Sequence, residues 1–279
     1  MRGPLEWHTP KRVIKTERIG MPHAAPSALS ATLSKVPAVT FAFWVIKIFA
    51  TTLGETGGDA VSMTLDLGYA ISTGIFFAIF LATVAAQVKA RAYHPFLYWG
   101  VIVATTTVGT TMSDYLTRTA GLGYVGTSAL IFTILMVILG VWHFTLGSVS
   151  VAHIVSPKAE MFYWLAILFS QTLGTALGDS IADTSGFGYG GGALLFGVAL
   201  ALVAGGYFFT KLNHTALFWA AFILTRPLGA TVGDLLTKPL DKGGMNLGRI
   251  SSSLILAAVM IGIILFTSRR SASKEEPTA

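Results

Sequence analysis

Glu55 and Asp59 stand four residues apart, so on a helix their carboxylates share a face one turn from each other. Such a pair binds a divalent cation through oxygen, or shares a proton because both cannot easily ionise. Asp59 has three counterparts. Asp59, Asp114, Asp179 and Asp234 each follow a tryptophan by fifteen residues, the tryptophans being Trp44, Trp99, Trp164 and Trp219. One such Asp reads equally well as a solvated residue or a cap on the following turn. Four related by an internal repeat form a ring or two pairs of carboxylates, the arrangement a cation entry or binding site needs. Arg226 lies about midway between Trp219 and Asp234, at a membrane depth where an arginine is costly without a partner. Glu55 is its expected partner, and a purely structural buried pair is the other reading. The ion pathway expected on these grounds is Glu55, Asp59, Asp114, Asp179, Asp234 and Arg226, with Glu55 and Asp59 as the metal-ligating pair. Lys47, three residues past Trp44, is expected to snorkel towards the inner interface.

These side chains need helices to position them. Offsets of 0, 4, 8, 11 and 15 from each Trp fall on one helical face. A fifteen-residue rise of about 22 Å puts Trp near one membrane interface and Asp near the other. The tryptophans are expected to anchor the helices at the inner interface. Each copy also carries a pair of small residues before its Asp: Gly54 and Gly58, Gly109 and Ser113, Gly174 and Gly178, Gly229 and Gly233. This spacing lets helices approach closely. Unwinding to offer carbonyls to an ion is the alternative. Pro227 is expected to kink or open its helix. In the first three copies Gly68-Tyr69, Gly123-Tyr124 and Gly188-Tyr189 begin the next helix; the fourth departs, with Asp241-Lys242-Gly243-Gly244-Met245 and then Gly248-Arg249.

Composition sets the solvent. Of 279 residues, 53% are hydrophobic and only 11% charged, against about 25% charged in a soluble domain. Apolar stretches long enough for a bilayer recur. The fold expected is all-α and polytopic, with eight transmembrane helices in four parallel two-helix repeats. The divisions are a flexible arm over 1–35, a membrane domain over 36–268 (repeats about 36–92, 93–156, 157–212 and 213–268) and a tail over 269–279. The tail is expected to be disordered. Thirteen of the nineteen Lys and Arg residues fall on one side of the spans and four, Arg118, Lys238, Lys242 and Arg249, on the other. Basic residues are retained in the cytoplasm, so both termini are expected inside and the four Asp residues outside. The net charge of +6 therefore reads as topology and not as nucleic-acid binding. The expected partners are the lipid bilayer and a small inorganic cation. The chain has no cysteine, which excludes disulfides, thiolate metal sites and cysteine nucleophiles. No nucleophile elbow or His-Glu-x-x-His phrase occurs, and His143 and His153 lack evident partners. No enzyme activity and no cofactor are expected.

The stretch from Lys35-Val36-Pro37 through Phe43-Trp44 to Gly54-Glu55-Thr56-Gly57-Gly58-Asp59 resembles a bacterial family of membrane-anchored proteins. That family is built of four tandem repeats of unknown function, each with two membrane regions and a Trp. The resemblance covers roughly residues 36–268 and implies the same architecture in a bacterial inner membrane, with no activity attached. The Glu-x-x-Gly-Asp phrase is also similar to the Glu-x-Gly-Asp signature of cation/proton exchangers for manganese and calcium, one residue longer and present once.

The residues thus point to a transporter of a small cation, a divalent metal among the candidates, moved against protons. A cation channel with pseudo-fourfold symmetry is the alternative, with the Asp residues at its mouth. A membrane scaffold or sensor that transports nothing is the third reading, in which the basic arm binds a partner or anionic lipid.

Overall fold

In the computed structural model, residues 35–151, 154 and 156–275 are described, with side chains to 269. The basic arm therefore lies outside them except for Lys35. The described residues contain eight long helices and no strand: α1 Phe41–Asp59, α2 Gly68–Lys89, α3 Pro95–Asp114, α4 Gly123–Leu146, α5 Pro157–Thr184, α6 Gly188–Phe209, α7 His214–Thr237 and α8 Arg249–Glu275. α8 continues past the limit expected at 268, and no Gly or Pro occurs between 268 and Pro277 to stop it.

Local chemistry starts the odd-numbered helices. The Thr40 hydroxyl accepts from the Phe43 amide at 3.3 Å, Ser156 from that of Ala159 at 3.2 Å, and Asn213 from those of Thr215 and Ala216. Pro95 and Pro157 occupy first-turn positions, where the missing N–H costs nothing. Beyond Asp59 and Asp114 the helices widen into π turns, Ala60–Thr64 and Tyr115–Thr119. The chain then reverses through two left-handed positions one residue apart: Asp66 and Gly68, Gly121 and Gly123, Gly186 and Gly188, Asn246 and Gly248. The fourth repeat departs from the others as expected, with a longer connection from Thr237 to Arg249, yet it ends on the same pair of left-handed positions. Its backbone repeats the same reversal after an inserted segment, and Arg249 takes the place of the tyrosine.

α1, α3, α5 and α7 form a closed inner ring, each packed against the next and α7 against α1. α2, α4, α6 and α8 lie outside. Each outer helix packs on the inner helix of the following repeat: α2 on α3, α4 on α5, α6 on α7 and α8 on α1. The repeats are thus interlocked.

The small residues explain the tightness of the ring. A Cβ on Gly54 would meet the Thr106 side chain at 2.0 Å, one on Gly174 the Arg226 side chain at 2.5 Å, and one on Gly229 the Thr51 side chain at 2.3 Å. On Gly109 it would meet the Thr172 amide nitrogen at 3.0 Å. One turn on, Gly58 faces Thr110, Gly178 faces Ala230 and Gly233 faces Glu55. Both offsets advance in the same direction, so neighbouring inner helices run parallel. The residues at these glycines and around Pro227 are all α-helical. Close approach is what the glycines provide, and neither the unwinding nor the opening at Pro227 occurs.

Six helices, α2 and α4 to α8, are long and apolar enough to cross a membrane. Their large exposed side chains, such as Ile71, Leu81, Phe132, Val137, Leu194, Leu202 and Leu254, sit on the outer helices, as lipid contact requires. α1 and α3 fall short by this measure. α1 carries Lys47, Glu55 and Asp59 in nineteen residues, and α3 carries five threonines. These polar groups are enclosed by protein, so α1 and α3 need not be apolar.

Candidate functional site

Equivalent positions stack as layers along the inner ring. The first layer, one residue before each Trp, holds Phe43, Tyr98, Tyr163 and Phe218, all buried. The Tyr98 and Tyr163 hydroxyls are 2.6 Å apart. Each of these rings meets its own Trp, as Phe43 meets Trp44 edge-on at 5.2 Å. Some also meet the Trp of the next repeat, as Phe43 meets Trp99 at 5.5 Å and Tyr98 meets Trp164 at 5.6 Å. Trp99, Trp164 and Trp219 are buried. They are core packing at one end of the bundle and not the interfacial anchors expected, because the outer helices cover them.

The next layer is Lys47, Ile102, Ile167 and Phe222, all fully buried. Lys47 does not snorkel. Its Nζ lies 4.1 Å from the centre of the Phe222 ring, because α7 and α8 pack over α1 and leave no route out. One turn further are Thr51, Thr106, Gln171 and Arg226, again fully buried. The Thr51 hydroxyl donates to the Thr225 carbonyl at 3.1 Å, and Thr106 to the Ala50 carbonyl at 3.3 Å. Each bond ties one repeat to the one before it.

Arg226 leaves this layer and crosses the axis. Its Nη1 donates to the Thr51 carbonyl at 3.2 Å. Its Nη2 donates to Glu55 Oε2 at 2.9 Å and to the Thr110 hydroxyl on α3, opposite. The single hydroxyl hydrogen of Thr110 has three acceptors in reach: Glu55 Oε2 at 3.3 Å, the Gly54 carbonyl at 3.2 Å and the Thr106 carbonyl at 3.1 Å. The expected Arg226–Glu55 pair is therefore present, inside the layer of Glu55, Thr110, Thr175 and Ala230.

The four Asp residues close the other end, buried rather than solvated. Two bases divide them into pairs. Arg118 lies 3.0 Å from Asp114 and 3.6 Å from Asp179. Lys238 lies 3.1 Å from Asp234 and 3.3 Å from Asp59. Each base thus serves its own repeat and the following one, giving twofold character to a fourfold ring. Arg249 adds a contact to Asp59 at 3.4 Å. Burial alone would lower the Lys238 pKa, but the Asp234 and Asp59 carboxylates outweigh it and hold the ammonium well above its ordinary value. Glu55, Asp59 and Asp234 each present a carboxylate oxygen within 4.8 Å of the others. All three are buried, and three oxygen ligands suit a hard divalent cation.

Glu55 and Asp59 were expected together, and Asp234 joins them through the contact of α7 with α1. Asp114 and Asp179 belong to the Arg118 half. Arg118, Lys238 and Arg249, counted in the sequence as outer-loop charges, are the counter-ions of the ring. The available signal was spacing: Arg118 and Lys238 each follow their Asp by four residues. Gln171 was also missed, and only its place beside Thr51, Thr106 and Arg226 in the repeat marks it.

The family model described as Repeat of Unknown Function (DUF347) matches the chain four times, at residues 42–93, 97–148, 162–213 and 217–273. These segments coincide with the four helix pairs, and the chain belongs to that family. No curated protein and no solved structure matches it.

Proposed function

We propose that this DUF347-repeat protein is an eight-span transporter of a small cation, exchanged for protons at Glu55, Asp59 and Asp234. The observation that carries the reading is the cluster of these three buried carboxylates, within 4.8 Å of one another, with the Lys238 ammonium on two of them. Lys238 acts as a tethered cation. An incoming divalent ion displaces it and gains oxygen ligands from two helices, α1 and α7. Protons compete for the same oxygens, so metal binding releases them. Arg226 is the fixed counter-charge that keeps Glu55 in place. The cytoplasm holds both termini, the carboxylate ring faces outward, and the membrane is a bacterial inner membrane. The pseudo-fourfold ring also suits a channel, but Arg226 spans the axis from α7 to α1 and α3, which favours alternating exchange over an open pore.

The test is flux into proteoliposomes across a panel of metal cations, with a pH probe inside. Metal entry should drive proton exit. Glu55→Gln and Asp59→Asn should abolish it while the protein inserts normally, and Lys238→Met should raise apparent metal affinity. Wild-type flux in both carboxylate variants removes the site from this cluster. Absence of flux for every cation leaves the membrane scaffold as the reading.

A further inference from the structure

The half of the axis remote from the carboxylate ring is short of negative charge. Between the Tyr98–Tyr163 layer and Glu55, the ring holds two basic side chains, Lys47 and Arg226, and Glu55 is ion-paired to Arg226 alone. Lys47 Nζ is buried without a hydrogen-bond or ion-pair partner among the described residues. The Phe222 face at 4.1 Å offsets only part of the cost of dehydrating an ammonium.

Other buried groups on α5 and α7 are short of acceptors as well. The Gln171 amide is fully buried, and neither its nitrogen nor its oxygen has a partner. Gln171 occupies on α5 the repeat position from which Arg226 on α7 crosses the axis, one turn beyond the Lys47 layer. Arg226 Nε and the buried Trp164 Nε1 are likewise unpartnered. The unmet groups are thus an ammonium, an amide NH2, an indole N–H and a guanidinium N–H, against one amide oxygen. Buried polar groups in native proteins are nearly always satisfied, so an ammonium and a whole amide left without partners in adjacent layers mark a missing ligand. Water brings as many donors as acceptors and leaves the second charge uncompensated. A small anion supplies acceptors only and balances it.

We propose that the inner ring binds a small inorganic anion of halide size between the Lys47 and Gln171 layers, Lys47 supplying the charge and Gln171 the neutral donor. The anion neutralises Lys47 as Glu55 neutralises Arg226. This site is separate from the carboxylate cluster, and it stands whether or not that cluster carries a cation.

The experiment uses the full chain in lipid nanodiscs, titrated with chloride against gluconate at constant ionic strength. The thermal unfolding midpoint should rise saturably with chloride and not with gluconate. Iodide, which occupies the same site and quenches indole, should reduce fluorescence saturably through Trp164. Lys47→Met and Gln171→Leu should each weaken halide affinity about tenfold or more, as loss of a charge-assisted or buried hydrogen bond does. Lys47→Met removes an unpaired buried charge and should fold at least as well as the parent; if it does not, Gln171→Leu supplies the same comparison. Equal midpoints in chloride and gluconate overturn the proposal and assign Lys47 as a neutral amine. A halide response unchanged in the variants overturns it as well, by placing the ion elsewhere.

Discussion

Removing Arg226 should destabilise this protein more than removing almost any other single side chain, and removing Glu55 with it should recover much of the loss. Arg226 is fully buried and makes three contacts: the Thr51 carbonyl, Glu55 Oε2 at 2.9 Å and the Thr110 hydroxyl. In Arg226→Gln, Glu55 Oε2 keeps only the Thr110 hydroxyl at 3.3 Å. Breaking one partner out of a buried pair costs about 3–5 kcal/mol, mostly because the remaining charge stays buried. Glu55→Gln leaves the guanidinium in the same position and should cost a similar amount. In the double variant no charge is left alone. What remains is the loss of hydrogen bonds to Thr51 and Thr110, about 1 kcal/mol each. The double variant should then lie only about 2 kcal/mol below the parent, against about 6–10 if the losses added. The coupling energy is accordingly about 4–8 kcal/mol, above the usual range of about 0.5–3 kcal/mol. Equilibrium unfolding in mixed detergent micelles, followed by tryptophan fluorescence, measures it. Additive losses would show that the two residues do not stabilise one another and would refute the reasoning. Flux should stay absent in the double variant, since Glu55 belongs to the proposed cation site.

Two further outcomes follow from packing and charge. Gly174→Ala forces a Cβ to within 2.5 Å of the Arg226 side chain and should destabilise by about 1–3 kcal/mol, whereas Gly140→Ala, with open space around it, should stabilise α4 by about 0.5–1 kcal/mol; equal effects in the same unfolding assay would contradict the close approach of α5 and α7. A cysteine at the exposed Leu65, in a chain that has none, should react with an impermeant thiol reagent added outside cells, and labelling from the cytoplasmic side alone would invert the topology.

The all-helical repeat, the small residues that bring helices together and the burial of Glu55 with Arg226 were legible as spacing, because a helix converts sequence offset directly into face and height. Asp59 and Glu55 share α1, so their proximity needed no tertiary knowledge. Asp234 needed it: 175 residues separate it from Asp59, and only closure of the ring between α7 and α1 brings it there. The same closure decided the fate of Lys47. Three residues past Trp44, it reads as a side chain free to reach an interface, and the neighbouring helices enclose it instead. Arg118 and Lys238 carried an i,i+4 signal to their own Asp residues, but their second contacts, to Asp179 and Asp59, lie in other repeats. Periodicity likewise cannot say that each outer helix packs on the next repeat's inner helix, since a polar inner face and an apolar outer one are compatible with either partner. Sequence alone therefore determined that equivalent repeat positions share a height and that Glu55 and Asp59 share a face. The three remaining layers hold Phe43, Lys47 and Thr51 with their counterparts, one residue before the offsets of 0, 4 and 8 that the sequence put on that face. The tertiary structure decided which repeats meet in each layer, because charge pairing and glycine contact depend on which helices become neighbours.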